Sequence, residues 1–205
     1  MITDQMIESL KNEVSLLLSK RRFSHTLGVE KAAEFLAEHC LPDKIQEIKA
    51  AAILHDVTKE LSKEEQERIV LENGIGVDIN EESFSSVVHS YTAPVFVKRN
   101  FPQFATEQIL SAIENHTLGN ENMTVFDKII FLADFIEETR TYPESAMTAK
   151  FVYDSMKHGD IQWNISILNK ACIMEIDSTI NSLIKRKTPI HKRTILTKAS
   201  LISKN

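Results

Sequence analysis

Residues 50–60 run Ala-Ala-Ala-Ile-Leu-His-Asp-Val-Thr-Lys-Glu, and no other stretch leaves the fold fewer choices. Residues 50–54 are apolar on every side of a helix, the pattern of a helix enclosed by others rather than laid on a surface. The run then delivers His55 and Asp56 back to back into those surroundings. A lone carboxylate there costs several kcal/mol of desolvation, so Asp56 requires a cation or strong hydrogen-bond donors. Lys59 follows His55 by four residues and Asp56 by three, so a continued helix puts all three on one face. A buried His-Asp pair with a cation one turn on suggests a metal site with a place for an anion.

Only five glycines and five prolines punctuate the 205 residues, and nearly every segment has helical period. Residues 4–19 place Met6, Leu10, Val14, Leu17 and Leu18 on one stripe, with Thr3 as N-cap. A second helix spans 22–39, and Pro42-Asp43 opens the third, which contains the central stretch. Ser62-Lys63-Glu64-Glu65 reads as a capping box for a fourth helix ending near Asn73-Gly74, and residues 74–86 are irregular and acidic. Val87 to Ser90 lead through a turn at Pro94 into another helix. Residues 105–116 form a helix closed by Gly119, and Thr124 opens one running to Glu138. After Pro143 come a shorter helix and a long one over roughly 160–186. No strand of convincing length, repeat or low-complexity linker interrupts this series. The expectation is an all-α bundle, one domain over residues 1–188, with a basic C-terminal tail, 189–205. Two readings of that tail stay open: a solvated helix end with lysines at the negative pole of the dipole, or a segment that folds back and offers cations, or His191, to an anionic ligand.

Apolar residues make up 42% of the chain, enough for a core, and a net charge of −5 argues against a nucleic-acid binder. Cys40 and Cys172 form no CxxC pattern and are too few for a disulfide framework, which suits a reducing cytoplasm. The first eleven residues carry acids and no apolar core, unlike a signal peptide. No window reaches 18 uninterrupted apolar residues, so no membrane span is expected. The expected setting is the cytoplasm.

Of seven histidines, His25, His55, His89 and His116 sit in or beside apolar helical segments, whereas His39, His158 and His191 sit at polar ends. Each of the first four, taken singly, reads equally as a core histidine. Asp134 favours a joint role, because it interrupts the apolar run Ile129-Ile130-Phe131-Leu132-Ala133 before Phe135-Ile136. Two buried carboxylates repel unless positive charge lies between them. Four imidazoles and two carboxylates suit Fe, Mn, Zn, Ni or Co, whereas Mg and Ca prefer oxygen-rich sites.

The series His25, His55-Asp56, His89, His116 and Asp134 resembles the H…HD…H…H…D arrangement of the HD-domain superfamily. The flanking residues Arg22-Phe23-Ser24-His25-Thr26-Leu27, His55-Asp56-Val57-Thr58-Lys59-Glu60, Asn115-His116-Thr117 and the run Lys128 to Glu137 resemble one branch of it. That branch is the YqeK-type proteins, bacterial di-iron HD hydrolases that split diadenosine tetraphosphate symmetrically into two ADP. The resemblance runs from about residue 10 to the last helices. It departs at Glu138-Thr139, where the family commonly has Pro-Gly, and at His191-Lys192, where it usually has His-Pro.

The resemblance implies an HD-domain bundle in which His25, His55, Asp56 and Asp134 hold one metal and Asp56 bridges to a second held by His89 and His116. It implies two iron ions, with Mn, Co, Ni or Zn as alternatives. A carboxylate can bridge two cations, and two metals about 3.5–4 Å apart clamp an in-line phosphoryl displacement. A metal also lowers the pKa of bound water to roughly 7. No Ser-His-Asp or Cys-His set stands out, so the nucleophile is assigned to water. Lys59 and Arg140 are expected to meet phosphate oxygens, with Thr117 and His191 as further substrate contacts. Against these stand a surface lysine, a loop arginine paired with Glu137 or Glu138, and a threonine that merely ends its helix. Arg22 and Arg99 are read as exposed, His39 and His158 as solvent-facing, and Trp163 as core. A homodimer is compatible with a domain of this size. Rival readings are a mononucleotide phosphatase or guanosine tetraphosphate hydrolase, a di-iron oxygenase, and a nucleotide-binding regulator without turnover.

Overall fold

Thr3, Ser19, Ser62, Thr106, Thr124 and Asp160 all stand in extended backbone just ahead of a helix, and each side chain accepts a hydrogen bond from a backbone N–H three residues on. Each such cap is worth about 1 kcal/mol and fixes where its helix begins. The computed structural model describes residues 2–79, 84–156 and 159–203. Among them are ten α-helices: α1 Asp4–Ser15, α2 Lys20–Cys40, α3 Ile45–Leu54, α4 Lys63–Glu72, α5 Phe84–Asn100, α6 Glu107–Asn115, α7 Val125–Ile136, α8 Pro143–Met156, α9 Ile161–Arg186 and α10 Lys192–Ser203. The capping box at Ser62 and Glu65 forms as expected, and Thr124 with Asp127 makes a second.

The enclosed helix is α3. α1, α2, α6 and α7 pack around it, and residues 50–54 are all fully buried. The three alanines let neighbouring backbones approach, while Ile53 and Leu54 fill the space between them; Leu→Ala here costs about 2–5 kcal/mol. α9 lies across α7, α8 and α10. No helix among the described residues is long and apolar enough to cross a membrane.

Several boundaries differ from those expected. α1 stops at Ser15, leaving Leu17 46% exposed rather than on the core stripe. The chain must leave the helix there to bring Ser19, by its N–H and its hydroxyl, onto the Glu60 carboxylate at 2.7 Å each. α3 stops at Leu54, and residues 55–60 are turns held by bonds such as Lys59 N to Asp56 O at 2.9 Å. Lys59 therefore reaches the site through a turn, not along a helix face. α5 passes through Pro94 without a break. Side chains also bond into this helix, the Thr58 hydroxyl donating to His89 O at 3.2 Å and that of Ser90 to Val87 O at 2.8 Å. Trp163 is 51% exposed rather than core, its indole N–H donating to Ser155 O at 3.1 Å.

The tail folds back, which removes the solvated-end reading. α10 packs on α9, Leu201 joins the main core, and the Thr197 hydroxyl donates to Leu118 O at 3.2 Å. Gly119, at φ +69, leaves room for Thr197 where any side chain would collide with it. His158 and residues 80–83 of the acidic stretch lie outside the described residues.

Candidate metal centre

Five elements each deliver one piece of the centre: α2 His25, the turn after α3 His55 and Asp56, α5 His89, the end of α6 His116, and α7 Asp134. Three of the imidazoles have Nδ1 on a fixed acceptor. His55 Nδ1 lies 2.6 Å from Ala52 O, His116 Nδ1 2.6 Å from Ile113 O, and His25 Nδ1 3.1 Å from Glu137 Oε1. This puts the N–H on Nδ1 and leaves Nε2 with a lone pair turned inward, the usual support of a ligating histidine.

Asp56 stands between the rings. Its Oδ2 is 3.7 Å from His25 Nε2 and 3.5 Å from His55 Nε2. Its Oδ1 is 3.3 Å from His89 Nε2 and 3.7 Å from His116 Nε2. Asp134 Oδ1 completes the first side at 3.0 Å from His25 Nε2 and 3.9 Å from His55 Nε2. The two triplets His25, His55, Asp134 and His55, Asp56, His116 are each close enough to share an ion, and His89 Nε2 lies 3.1 Å from that of His116.

Whether a metal fits can be judged from the nitrogens. His25 Nε2 and His55 Nε2 are buried with no aligned hydrogen-bond partner, so two nitrogens face inward with their ligating capacity unused. Neutral nitrogen and carboxylate donors suit a divalent transition ion, so the donor set fits.

Burial pushes the Asp56 carboxyl up, but His55, His116 and His89 outweigh it and hold the group well below the usual range. Asp134 is half-buried and, against the desolvation that raises it, is held low by Arg140, His25 and His55. Burial acts against charge on His25, yet Asp134 and Glu137 raise it to about 9. Burial drives His89 well below its ordinary value, with Asp56 opposing. It also lowers the Lys59 ammonium, against Asp56 and Asp134.

The remaining expected residues are distributed unevenly. Lys59 Nζ lies 3.0 Å from His89 Nδ1 and donates to Ser86 O at 3.2 Å. The Thr117 hydroxyl sits 3.1 Å from His89 Nε2 and 3.0 Å from His116 Nε2. Arg140 is paired with Asp134 and donates through Nε to its backbone oxygen at 2.8 Å. Arg22, read as exposed, is instead tucked in, with Nη1 2.8 Å from Asp56 Oδ2. His39 is half-buried rather than solvent-facing, stacked 4.3 Å from Phe35, and Arg99 is exposed as expected. His191 is not drawn into the cluster; its Nδ1 accepts from Arg193 N at 3.1 Å at the head of α10. The tail residue that reaches inward is Arg193. It donates to Asn115 Oδ1 and, at 2.5 Å, to Gly119 O, bracketing the turn that carries His116 and Thr117.

Glu137 is the other residue that sequence reasoning gave no role of its own. Its side chain is fully buried against His25, and Thr139 donates to it from N–H and hydroxyl at 2.7 and 2.6 Å. The departure from Pro-Gly at 138–139 thus adds one donor, the Thr139 hydroxyl. Gly28 clears the space, since a Cβ there would press on Glu137 Oε2. The signal was its place three residues past Asp134, one turn along an apolar run.

Two clefts open on the cluster. One, of about 530 Å³, starts at His116, Thr117, Asp134 and Arg140 and runs along α9. The other, of about 380 Å³, is lined by Arg21, Arg22, Ser24, His25, Glu137, Thr139 and Arg140. Arg140 belongs to both.

This helical bundle with a His/Asp cluster at its heart is shared with known proteins. The HD domain model matches residues 22–138, and the chain belongs to the HD-domain family. It is 32% identical to the symmetrical bis(5'-nucleosyl)-tetraphosphatase of Bacillus subtilis (strain 168), over 91% of this chain and 92% of that one. Its counterpart from Staphylococcus aureus (strain NCTC 8325 / PS 47) is 28% identical over 92% and 91% of the two chains. A crystal structure from Clostridium acetobutylicum, described as an HD superfamily hydrolase involved in NAD metabolism, superposes with a TM-score of 0.78 at 25% identity over the whole of both chains.

Proposed function

We propose that the chain is a metal-dependent hydrolase that cuts diadenosine tetraphosphate, and related dinucleoside polyphosphates, symmetrically into two ADP. The observation that carries this is the junction itself: a cluster of four imidazoles and two carboxylates between two clefts that share Arg140. A two-armed substrate with its phosphates in the middle suits that layout, and the tetraphosphatases it resembles act on such a molecule by name. His25, His55, Asp56 and Asp134 would hold one ion, with Asp56 bridging to a second held by His89 and His116. Iron is the first candidate, and Mn, Co, Ni or Zn suit the same donors. When bound, such ions supply Lewis acidity and water activated near neutral pH.

The chain's own residues then bind and orient. Arg22 and Arg140 stand beside the carboxylates and turn to the phosphate oxygens, where a planar guanidinium pairs best. Lys59 adds a point charge over the His89 side, and the Thr117 hydroxyl donates to an oxygen lying above His89 and His116. Water adds to an inner phosphorus, the central P–O bond breaks, and two ADP leave; with both terminal phosphates fully ionised, both protons of the water are released. His191 caps α10 and takes no part in this scheme. Two free, buried thiols suit work in a reducing cytoplasm.

The test is anaerobic reconstitution with Fe(II), followed by chromatography of the products from diadenosine tetraphosphate. ADP as sole product is expected. AMP with ATP would move the attacked phosphorus, and equal rates on mononucleotides would remove the dinucleotide assignment.

A further inference from the structure

The larger cleft has one wall that the core does not explain. The buried apolar residues of α9 end at Ile176, and the last turns carry no buried side chain, yet they flank the cleft. Along that wall Glu175, Ser178, Thr179, Ser182, Lys185 and Arg186 recur at helical spacing, a polar stripe about 16 Å long at 1.5 Å per residue. At its inner end Glu175 is only 7% exposed, and its Oε2 has no hydrogen-bond partner. A buried carboxyl oxygen left unpaired costs free energy that only a ligand or solvent donor can return. Facing the stripe are Phe135 and Tyr142, the latter 41% exposed.

Resting on the dinucleotide reading above, we infer that this groove is a nucleoside subsite in which the Glu175 carboxyl exchanges hydrogen bonds with the ribose hydroxyls of one half of the substrate. The order along the groove matches a nucleotide read outward from its phosphates. Arg140 and Asp134 stand at the metal centre, Glu175 follows with an acceptor but no cation, and then come amide and hydroxyl groups with an aromatic ring opposite. An acidic side chain is the usual partner of ribose hydroxyls, and a half-exposed tyrosine ring offers a face to a base. Both clefts share Arg140, but the other cations of the smaller one are Arg21 and Arg22 of α2, whereas those of this groove, Lys185 and Arg186, stand ten and eleven residues beyond Glu175 along α9.

The test compares ADP with 2',3'-dideoxy-ADP by calorimetry on the metal-loaded protein, which needs no turnover. The wild type is expected to bind ADP about tenfold more tightly, as two hydrogen bonds to a buried carboxyl group allow, and Glu175→Ala to bind both within twofold. Equal binding of the two by the wild type, or undiminished discrimination by Glu175→Ala, would overturn the subsite. Photolabelling of the wild type with 8-azido-ADP covers the case of a variant that does not fold. Label on Tyr142 or the last three turns of α9 supports the groove, and label confined elsewhere overturns it. These readouts separate the subsite from the reaction: ribose discrimination with no cleavage of diadenosine tetraphosphate would keep the groove and remove the proposed substrate, and cleavage without discrimination would do the reverse.

Discussion

His25, His55 and Asp134 stand on or beside α2, α3 and α7, three helices that pack on one another in the middle of the core, whereas His89 and His116 stand on α5 and at the end of α6. The first group is braced from within. Ala52 O and Glu137 fix the two rings, and both belong to the packed trio or its immediate exit. The second has one brace from within, Ile113 O at 2.6 Å from His116 Nδ1, and the rest from outside. His89 O is held by the Thr58 hydroxyl, Gln66 of α4 donates to Thr58 O at 2.5 Å, and the His116 turn is bracketed by Arg193 of α10. One side of the centre is therefore set by burial of the core, and the other depends on segments added around it. The two sides should fail differently when perturbed.

Asp56 faces both sides, through Oδ2 to His25 and His55 and through Oδ1 to His89 and His116, so its loss should erase the difference. Asp56→Ala is expected to strip both metal positions and lower kcat/KM by about 10³-fold or more, the several kcal/mol that metal activation supplies. Metal analysis and rate on the same preparation check this. Retention of either ion at wild-type affinity with activity would refute the shared role.

Glu137 lets one side be weakened alone. Glu137→Gln keeps the shape but removes the charge behind His25 Nδ1, and supporting changes of this kind cost about 10–100-fold in metal affinity. Stepwise titration against a chelator should show one site weakened and the other intact. Gly28→Ala should act on the same side more mildly, about 1–3 kcal/mol of stability lost as the new methyl displaces Glu137, read as a lower Tm. A variant as stable as the wild type would mean that α2 can shift to make room.

The inner side is also the side that the sequence announces. His55 and Asp56 follow five apolar residues, and Asp134 interrupts another apolar run, so burial and charge conflict visibly within a few positions. His89 and His116 are legible only as members of the series. The helices were readable because caps such as Thr3 and Ser62 act locally. The stop of α3 at Leu54 was not, because the turn after it is set by where α5 and α7 need His55 and Asp56. Pro94 reads as a turn because a proline interrupts the ladder locally, whereas buried neighbours on both sides, from Val88 to Val97, keep α5 continuous through it. Arg22 looked like any arginine near a helix start, and only the fold reveals that Asp56 lies 2.8 Å away. The supports that escaped, Glu137 and Arg193, are polar residues at helix ends, where charge is ordinarily solvated.

Arg193 offers the smallest and most selective break. Its guanidinium meets Asn115 Oδ1 and Gly119 O, and its Cζ lies 5.6 Å over the Tyr91 ring. It therefore ties the tail to both α5 and the end of α6. Arg193→Ala leaves a carbonyl and a side-chain amide without their donor, about 1–3 kcal/mol, while touching none of the six proposed ligands. The expected result is a threefold to tenfold weaker metal site on the His89–His116 side, with the His25–Asp134 side unchanged, in the same chelator titration. Arg193→Lys should not restore it, because a single ammonium cannot span the three partners as a planar fork does. Equal weakening of both sites would show that α10 stabilises the bundle as a whole. No change at either would show that the His116 turn is held by Gly119 N to Asn115 O, at 2.9 Å, and its neighbours alone.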